Sequence, residues 1–490
     1  MTQDKGTRLK ESVFSGFVWK FAERVLAQGV SLVVSIVLAR MLLPEDYSVV
    51  GIVAIFFAFS NILITGGLNT ALIQKKDADI EDYSTVLSIS LILAVILYAA
   101  LFFAAPWIAR IYDKELLIPI VRVMSLTLII NAVNSVLSAY TSSHLLFRNF
   151  FVSTIAGNVI SAAVGIGMAM AGMGAWALVA QQMTAGVIGT IVLFFMSKVR
   201  FMLKISLYRF KALFAYGSKI FISSLISVIY EQLNPLIIGL RFSSTDLAYY
   251  TKGQSFPGLL NSTISDTLSA VLFPAMSKLQ DDKEAVLQVT RRYIRVASYV
   301  VFPLMVGFFA VAEKFVAFVL TEKWMPAVPY IQIFCAGYML NIIQVGNLQA
   351  IKAIGRSDIA LILEIIKKSI YFVIIAAFVL LSDSPVMLAI SSVVCTVAAT
   401  VVNTYPNRKL IGYRYRYQLM DLLPNFCQAI AMGAVVLLIG QLKLAAVWVL
   451  LIQIICGVVV YVGLSLLTKN ENFTYLLNYL KLFAKGKKHA

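Results

Sequence analysis

Ionisable and metal-binding side chains are scarce in this sequence of 490 residues. Only 13% of the residues are charged, and there are two histidines and four cysteines. The cysteines are scattered in or beside apolar runs, which fits neither a metal site nor a disulfide framework, so we expect them to pack as small hydrophobic residues. His144 is expected to be an interface residue rather than a proton relay. With no nucleophile–base or metal constellation, we predict no catalytic residues, no cofactor and no enzymatic activity.

Long apolar runs dominate what remains. Hydrophobic residues make up 60% of the chain, and the mean hydropathy is +0.86. A soluble domain cannot cover that much apolar surface. The runs are continuous and longer than the alternating strands of a membrane barrel, and a helix satisfies its own backbone polar groups. The composition therefore predicts an all-α integral membrane protein of about fourteen transmembrane helices.

The basic residues predict the orientation. The net charge is +17, and 27 of the 41 lysines and arginines fall in loops on one side, against eight on the other. The positive-inside rule places the richer side, with both termini, in the cytoplasm. We attribute the excess charge to topology and to attraction for membrane lipid, and we expect no nucleic-acid partner. The apolar tail at 473–483 is either an interfacial helix or a partly ordered end.

The chain resembles itself at an offset of about 200 residues. LARMLLPEDYSVV, from Leu38, and GLRFSSTDLAYY, from Gly239, both place Arg at a helix exit, then Asp and an aromatic residue. Further matches pair Arg148 with Arg356 in equivalent turns. The repeat predicts two pseudo-symmetric six-helix lobes at 1–203 and 204–410, with two added helices and an amphipathic tail at 411–490. Parallel repeats of this kind are typical of transporters that bind substrate between their halves.

Six basic residues lie inside the predicted spans, where charge is costly. They are Arg24, Lys20, Lys219, Arg122, Lys367 and Lys368. Snorkelling to the interface accounts for the shallower ones, but Arg24 lies about 16 Å along its helix, near the midplane. We predict a cation-lined cavity with Arg24 at its centre. It would bind an anionic headgroup such as a lipid-linked diphosphate, because guanidinium groups grip phosphate oxygens in pairs.

Amides and acids accompany these cations. The amides either hydrogen-bond between helices or line a sugar-sized channel, and they are Asn131, Asn134, Gln254, Asn261, Gln344 and Asn347. Three acids are candidates for a site that couples transport to Na⁺ or H⁺, namely Asp266, Glu231 and Glu364. Because Glu364 and Lys368 are four residues apart on one helix, a simple ion pair between them is the alternative.

One segment resembles the early signature of bacterial polysaccharide flippases, in the multidrug/oligosaccharidyl-lipid/polysaccharide (MOP) superfamily. The family pattern is close to LAR-x-L-x-P-x-D-[FY]-G, and the matching residues are Leu38, Ala39, Arg40, Leu42, Pro44, Asp46 and Tyr47. Ser48 replaces the usual Gly. QLNPLIIG and AIGRSDIALILEIIKK are also similar to family segments, although Asn234 stands where Asp is common, which argues against an acidic ion site there. The resemblance covers nearly the whole chain and is closest to the lipopolysaccharide, colanic-acid and teichuronic-acid exporter branch.

The resemblance implies a MATE-like fold and a function. Such proteins flip undecaprenyl-diphosphate-linked oligosaccharide units across the bacterial cytoplasmic membrane for surface polysaccharide biosynthesis, by alternating access and with an ion gradient. A polysaccharide polymerase and a chain-length regulator are the expected protein partners. Arg40, Pro44 and Asp46 are expected to shape the first periplasmic turn. The first alternative is an ion-coupled multidrug exporter, which would favour an acidic or aromatic cavity. The second is a membrane enzyme, either a polymerase or a glycosyltransferase, which would typically carry a large outer loop, whereas the outer loops here are short. The third is a scaffold, which would not need a repeat with charges between its halves.

Overall fold

The structure is a computed structural model that describes residues 2–75, 77–277, 279 and 281–486. Every regular element in this part of the chain is helical. The first eight helices are α1 (Thr2–Met41), α2 (Pro44–Thr65), α3 (Leu68–Gln74), α4 (Ile80–Ile111), α5 (Leu117–Ser143), α6 (Phe147–Met170), α7 (Ala175–Ser197) and α8 (Leu207–Arg241). The remaining helices are α9 (Ser244–Ser277), α10 (Lys283–Phe315), α11 (Val328–Met339), α12 (Asn341–Ala353), α13 (Ser357–Leu381), α14 (Pro385–Thr404), α15 (Asn407–Leu410), α16 (Tyr415–Ile439), α17 (Ala446–Leu467) and α18 (Glu471–Gly486). A wide turn (Val316–Leu320) and a tight one (Glu322–Ala327) connect α10 to α11.

The predicted all-helical membrane fold is confirmed. In the described part of the chain, twelve helical stretches are long and apolar enough to cross a bilayer. Two more helices, α9 with 34 residues and α13 with 25, reach a spanning length of about 30 Å at 1.5 Å per residue. They fall outside the twelve; α13 carries Glu364, Lys367 and Lys368 in its middle. The fourteen predicted transmembrane helices thus correspond to twelve strongly apolar segments and two segments that carry charges. The chain is a multi-pass membrane protein.

Residue contacts divide the chain into two compact units, Met1–Ala248 and Tyr249–Ala490. By this measure α8 belongs to the first unit, whereas the repeat starts its second copy at residue 204. Contacts report compactness and the repeat reports sequence similarity, so the two boundaries describe different properties. The lobes at 1–203 and 204–410, and the appendage at 411–490, stay a prediction from the repeat.

Two glycines bring α8 against the turn between α2 and α3. Gly66 and Gly67 both have positive φ, +48° and +69°, which only glycine adopts at little cost. A Cβ on Gly67 would collide with the backbone carbonyl of Gly217 in α8. The absence of side chains at Gly67 and Gly217 lets the two backbones approach. This contact is one reason that α8 packs within the first unit.

A stripe of small residues lets α6 and α7 pack closely. Buried small residues recur at every fourth position of α6, at Ser153, Gly157, Ser161, Gly165 and Ala169. A Cβ on Gly157 would stand 2.9 Å from the carbonyl oxygen of Ala185 in α7, and a Cβ on Gly165 only 2.8 Å from Gln181 Cβ. Such small-xxx-small faces stabilise membrane helix pairs through close van der Waals contact. Close packing of α6 against α7 in the first unit therefore depends on the absence of larger side chains on this face of α6.

The sequence repeat reappears as repeated local geometry. Asp46 caps α2, because its Oδ2 accepts a bond from the Leu43 N–H at 2.9 Å. Asp246 lies 200 positions after Asp46 and caps α9 in the same way. Its Oδ2 accepts from the Ser243 N–H at 3.2 Å and from the Ser243 hydroxyl at 2.8 Å. The α5–α6 and α12–α13 turns also share one form, since Leu145 and Gly355 both have positive φ, +57° and +78°. Both halves of the chain thus start and end equivalent helices in the same way.

The turn match refines one predicted equivalence. Arg356 is the last residue before α13, where it donates its backbone N–H to Ile351 at 3.1 Å. In the first half the same bond is made by Leu146, which donates to Thr141 at 2.9 Å. Leu146 is therefore the position equivalent to Arg356, and Arg148 lies two residues further on, in the first turn of α6.

Candidate functional site

The cations predicted to bind an anionic headgroup occupy different environments. Arg24 in α1 and Lys219 in α8 are exposed. The side chain of Lys20 lies outside the described residues. Next to Arg24, Glu23 is turned towards α6, where its Oε1 accepts a bond from the Thr154 hydroxyl at 3.2 Å. The helix therefore presents Glu23 to its packing partner and leaves Arg24 on an accessible face.

Arg122 in α5 is held against α4. Its Nε donates to the Phe102 carbonyl oxygen at 3.4 Å, and its guanidinium carbon lies 4.3 Å from the centre of the Phe102 ring. Pro106, four residues after Phe102, has no N–H, so this carbonyl lacks its normal helical donor. An unsatisfied carbonyl is costly inside a membrane. Arg122 supplies the missing donor, a structural role that the sequence did not reveal; its headgroup role stays a prediction.

The charges of α13 are close together. Lys367, Lys368 and Glu364 are all half-buried, and Lys367 Nζ donates to Glu364 Oε1 at 2.6 Å. The observed ion pair thus joins Glu364 to the residue three positions on. Glu364 also borders a cavity of about 340 Å³ that reaches Lys352 at the end of α12. A carboxylate already paired with a lysine is a weaker ligand for a coupling cation.

The other two acids differ from Glu364. Glu231 in α8 is exposed, whereas the side chain of Asp266 in α9 lies outside the described residues. Close to Glu231, Asn234 is buried at 2% exposure. The coupling role of Glu231, Asp266 and Glu364 therefore stays a prediction, with Glu231 the acid that the structure leaves accessible.

The amides of the first unit join helices. Asn131 Nδ2 in α5 donates to Asn61 Oδ1 in α2 at 3.0 Å. One helical turn later, Asn134 Nδ2 donates to the Thr190 hydroxyl of α7 at 2.9 Å, and its Oδ1 accepts from Ser138 at 3.3 Å. These bonds match the first of the two roles predicted for amides, hydrogen bonding between helices.

The second unit repeats the amide pair. Asn341 Nδ2 in α12 donates to Asn261 Oδ1 in α9 at 3.2 Å, as Asn131 does to Asn61 in the first unit. The two pairs have the same direction and lie at the repeat offsets of the surrounding helices. Gln254 Nε2 also bonds the Tyr338 hydroxyl at 3.3 Å. An amide pair at equivalent places in both halves is a feature of the repeat itself.

Asn347 and Gln344 join α12 to later helices. Gln344 Nε2 donates to the Thr396 carbonyl at 3.3 Å. Asn347 is fully buried, and its Oδ1 accepts from Asn407 Nδ2 at 2.7 Å and from Gln418 Nε2 at 3.2 Å. A side chain with no exposure lines no channel in this conformation. The observed bonds match the alternative role, hydrogen bonding between helices, and a channel role for Asn347 stays a prediction.

A match to a known protein family covers more than half of the sequence. A family model described as polysaccharide biosynthesis protein matches residues 37–329. The chain belongs to this family. The match includes Arg122, Lys219, Asn131, Asn261 and Glu231, whereas Arg24 and the α13 charges lie outside it. The signature segment from Leu38 to Tyr47 falls at its beginning.

Two curated relatives of the polysaccharide biosynthesis family show how far the similarity extends. The lipopolysaccharide biosynthesis protein WzxC of Escherichia coli (strain K12) is 23% identical over 456 residues, which are 89% of this chain and 90% of WzxC. The succinoglycan biosynthesis transport protein ExoT of Rhizobium meliloti (strain 1021) is 23% identical over 311 residues. That match spans 64% of this chain and 63% of ExoT, slightly less than two thirds of either.

Solved structures identify the fold. The lipid II flippase MurJ, in an inward closed conformation, matches 93% of this chain and 99% of its own, with a TM-score of 0.77 and 12% identity. A MATE-family multidrug resistance transporter of the MOP superfamily, in an inward-facing conformation, matches 80% of this chain with a TM-score of 0.59 and 15% identity. Identities this low show a shared fold alone. The predicted MOP flippase fold is thereby confirmed.

The family signature shapes a turn, as expected. Asp46 caps α2, and Pro44 is the first residue of that helix. Ser48, which stands where the family pattern has Gly, is fully buried and accepts a bond from Lys114 Nζ at 2.9 Å. Burial lowers the pKa of Lys114 below its ordinary value, although the charges of Glu45 and Asp46 oppose that shift. The departure from the pattern therefore adds a contact between α2 and the α4–α5 turn.

Sequence reasoning missed an ionic cluster at the start of α8. Arg209 Nη1 lies 2.6 Å from Asp79 and 3.0 Å from the fully buried Asp82, while Nη2 lies 3.1 Å from Glu81. Slight burial raises the pKa of Asp79, but the Asp82 N–H and Arg209 outweigh it and hold that pKa below its ordinary value. The linker before α8 follows the same surface, because Lys204 Nζ lies 2.8 Å from Glu81. The only sequence signal was opposite charge in two loops on the same predicted side.

A second missed cluster joins α16 to α10. Asp421 accepts bonds from Arg291 Nε at 2.8 Å, Arg291 Nη2 at 2.9 Å, Arg295 Nε at 2.9 Å and the Tyr413 hydroxyl at 2.8 Å. Arg291 and Arg295 are four residues apart, so they lie on one face of α10. That spacing was visible in the sequence, but the partner was not. The cluster fastens the first helix of the predicted appendage.

Proposed function

We propose that this protein is a flippase that moves an undecaprenyl-diphosphate-linked oligosaccharide across the bacterial cytoplasmic membrane for surface polysaccharide biosynthesis. The observation that carries the proposal is the family match over residues 37–329. The chain also shares its fold with a lipid II flippase. Transport is by alternating access between the two repeat halves, coupled to a gradient of Na⁺ or H⁺.

Within this proposal, Arg24 and Lys219 bind the diphosphate. Both side chains are exposed on helices, and a cation within an apolar span is retained at a cost that function explains. Lys20, Lys367, Lys368 and Arg122 are the further cations that we propose for the headgroup, and Arg122 also holds α4. Asp266, Glu231 and Glu364 are the proposed ion-coupling acids. The amides hold the helices around the site, and a polysaccharide polymerase and a chain-length regulator receive the product.

The test is a flipping assay in proteoliposomes. The full chain is reconstituted with a fluorescent undecaprenyl-diphosphate oligosaccharide, and an impermeant quencher reports the fraction that reaches the outer leaflet under an imposed Na⁺ or H⁺ gradient. We expect translocation well above protein-free vesicles. No translocation by folded protein under either gradient would contradict the proposal.

Two arginine variants locate the site. Arg24→Gln should abolish translocation and leave insertion and folding intact, because it removes the midplane charge. The matched control is Arg148→Gln, since Arg148 is an exposed arginine in the first turn of α6, and this variant should flip normally. Normal flipping by Arg24→Gln would remove Arg24 from the headgroup site.

The multidrug exporter is the alternative that the same vesicles separate. An exporter of cationic drugs would move a fluorescent organic cation and leave the lipid-linked saccharide in place. The predicted spans hold six basic residues against four acids, Glu23, Glu231, Asp266 and Glu364, which favours an anionic substrate. We therefore expect no gradient-driven uptake of the cation.

A further inference from the structure

A large apolar cavity lies within the second unit, between α10, α12, α14 and α16. Its volume is about 830 Å³, and its walls include Phe302, Leu340, Ile343 and Phe426. Protein interiors leave few voids larger than a water molecule, and a cavity without polar partners does not hold ordered water. This space is therefore suited to an apolar occupant.

The open side of the cavity is also apolar. Val401, Leu419 and Leu423 line it and are 51%, 67% and 58% exposed. In a membrane protein, exposed side chains of this kind face the hydrocarbon of the bilayer. An occupant can enter from the bilayer without crossing a polar barrier.

The polar groups in the wall are already satisfied by the protein. The Thr400 hydroxyl donates to the Thr396 carbonyl at 2.8 Å, and the Tyr415 hydroxyl donates to the Val401 carbonyl at 2.7 Å. The Thr404 hydroxyl donates to Gln418 Oε1 at 3.3 Å. Apart from Arg416 at one end, the wall thus offers a sugar or a hydrated ion no free polar group, whereas a hydrocarbon chain needs no partner.

The cavity has the depth of one leaflet. Along α16 it runs from Tyr415 to Phe426, which at 1.5 Å per residue is about 16 Å. The hydrocarbon core of a bilayer is about 30 Å thick, so the cavity spans roughly half of it. An acyl chain anchored at the α15–α16 end would fill the cavity and stop near the midplane.

Positive charge surrounds that end. Four exposed basic residues lie between α14 and the first turn of α16, at Arg408, Lys409, Arg414 and Arg416, and Arg416 borders the cavity. Among the described residues, no carboxylate lies within ion-pair distance of any of them. The nearest acid along the chain, Asp421, is held by Arg291 and Arg295. The rim therefore carries charge that the protein itself does not neutralise.

We propose that this cavity binds an anionic glycerophospholipid from the leaflet on the predicted cytoplasmic side, with an acyl chain between α14 and α16 and the phosphate at Arg416. Apolar walls, leaflet depth and an unpaired basic rim fit one amphiphile with a negative head. The site does not depend on the flippase proposal, because a lipid can occupy it in a protein of any activity.

The test measures which lipid lies against the cavity wall. Phe426→Trp places a fluorescent reporter there, and the full chain is reconstituted in nanodiscs containing phosphatidylglycerol or phosphatidylcholine with brominated acyl chains. The signal of the wild-type chain, which has five native tryptophans, is subtracted under each condition. We expect the brominated phosphatidylglycerol to quench this tryptophan more strongly at equal mole fraction. The matched reporter is Phe103→Trp, since Phe103 is 79% exposed on α4 and should show no preference. Equal quenching by both lipids at residue 426 would overturn the proposal.

Charge variants then test the headgroup. In the same reporter chain, Arg416→Gln should lower the preference for phosphatidylglycerol about fivefold, the factor that corresponds to about 1 kcal/mol per basic residue at a membrane surface. Arg148→Gln should not change it. An equal loss in both variants would mean that overall charge, rather than this site, attracts the lipid, and would overturn the proposal.

Two further measurements keep the outcome decisive. If the reporter variant does not fold, native mass spectrometry of the wild-type chain and of Arg416→Gln counts the phosphatidylglycerol retained, and equal counts would overturn the proposal. Undecaprenyl phosphate is added as a competitor. If equimolar amounts displace the brominated phosphatidylglycerol, the occupant is a polyprenyl carrier rather than a phospholipid, and the proposal is wrong.

Discussion

The buried carboxylate of Asp421 should contribute more to stability than any other single charge in the second unit. Its side chain is 5% exposed and accepts bonds from two arginines and a buried tyrosine. Asp421→Asn keeps the size of the side chain and removes the charge. The variant leaves Arg291 and Arg295 side by side without a counter-ion, and an amide N–H faces donors that need an acceptor.

The loss of stability in Asp421→Asn depends on how well water can solvate the groups that lose their partner. Removing one partner of a buried ion pair costs about 3–5 kcal/mol, mainly because the other charge is left unpaired. Arg291 and Arg295 are each 27% exposed, so water compensates part of the loss, whereas Tyr413 is fully buried. We therefore expect the lower end of that range, about 3 kcal/mol off the free energy of unfolding. Asp77→Asn is the matched control, because Asp77 is exposed and should change stability by less than about 0.5 kcal/mol.

Cysteine accessibility provides the assay. Cys335 and Cys395 are buried, whereas Cys427 is exposed and Cys456 is partly exposed. A thiol-reactive dye on a background with Cys427→Ser and Cys456→Ser therefore reports opening of the second unit as denaturant is added. Combining Asp421→Asn with Arg291→Gln should cost less than the sum of the single changes, because the two groups share one interaction. An Asp421→Asn midpoint equal to that of Asp77→Asn would refute the reasoning. Strict additivity of the double variant would also refute it.

Three further predictions rest on single contacts. Gly67→Ala should destabilise the first unit by about 2 kcal/mol or more in chemical denaturation, because positive φ is unfavourable for alanine and its Cβ meets the Gly217 carbonyl. Gly172→Ala is the control, since Gly172 also has positive φ but has open space around it. Asn131→Leu and Asn341→Leu should each cost a similar amount, about 0.6–2 kcal/mol, and unequal losses in the same titration would contradict the equivalence of the amide pairs. Arg122→Met should destabilise α4 measurably, and restoring the Phe102 donor by Pro106→Ala should recover most of the loss.

The sequence was sufficient for the helices and for the repeat. Apolar length and the positive charge of loops predict spans because both are local properties that the bilayer enforces. The expectation that Asp46 shapes the first turn was likewise within reach of the sequence, because the start of a helix needs a hydrogen-bond acceptor within a few residues. The short helix α3 was missed, because seven residues carry too little periodicity to stand out from a loop.

Partners across the fold were beyond the reach of the sequence. From the sequence, Arg122 was a candidate to bind substrate. Only the position of α5 beside Pro106 shows that Arg122 donates to the carbonyl of Phe102, which Pro106 leaves without a helical donor. Asn347 had the spacing of a channel wall, yet its partners lie 57 to 71 residues away. A buried polar group needs a partner, but which one depends on tertiary packing that a single sequence does not specify.

The repeat also separates charges needed for folding from charges needed for function. Features found in both halves, such as the caps at Asp46 and Asp246, answer a need that both halves share, which is to fold. The helices α1 and α8 align at an offset of 201 through Arg40 and Arg241, and that offset places Leu225 opposite Arg24 and Val18 opposite Lys219. An apolar residue therefore satisfies the same helical position in the other half. Neither helix therefore needs a cation there to form, and a cation within a membrane span is costly, which supports the headgroup role that we propose for Arg24 and Lys219.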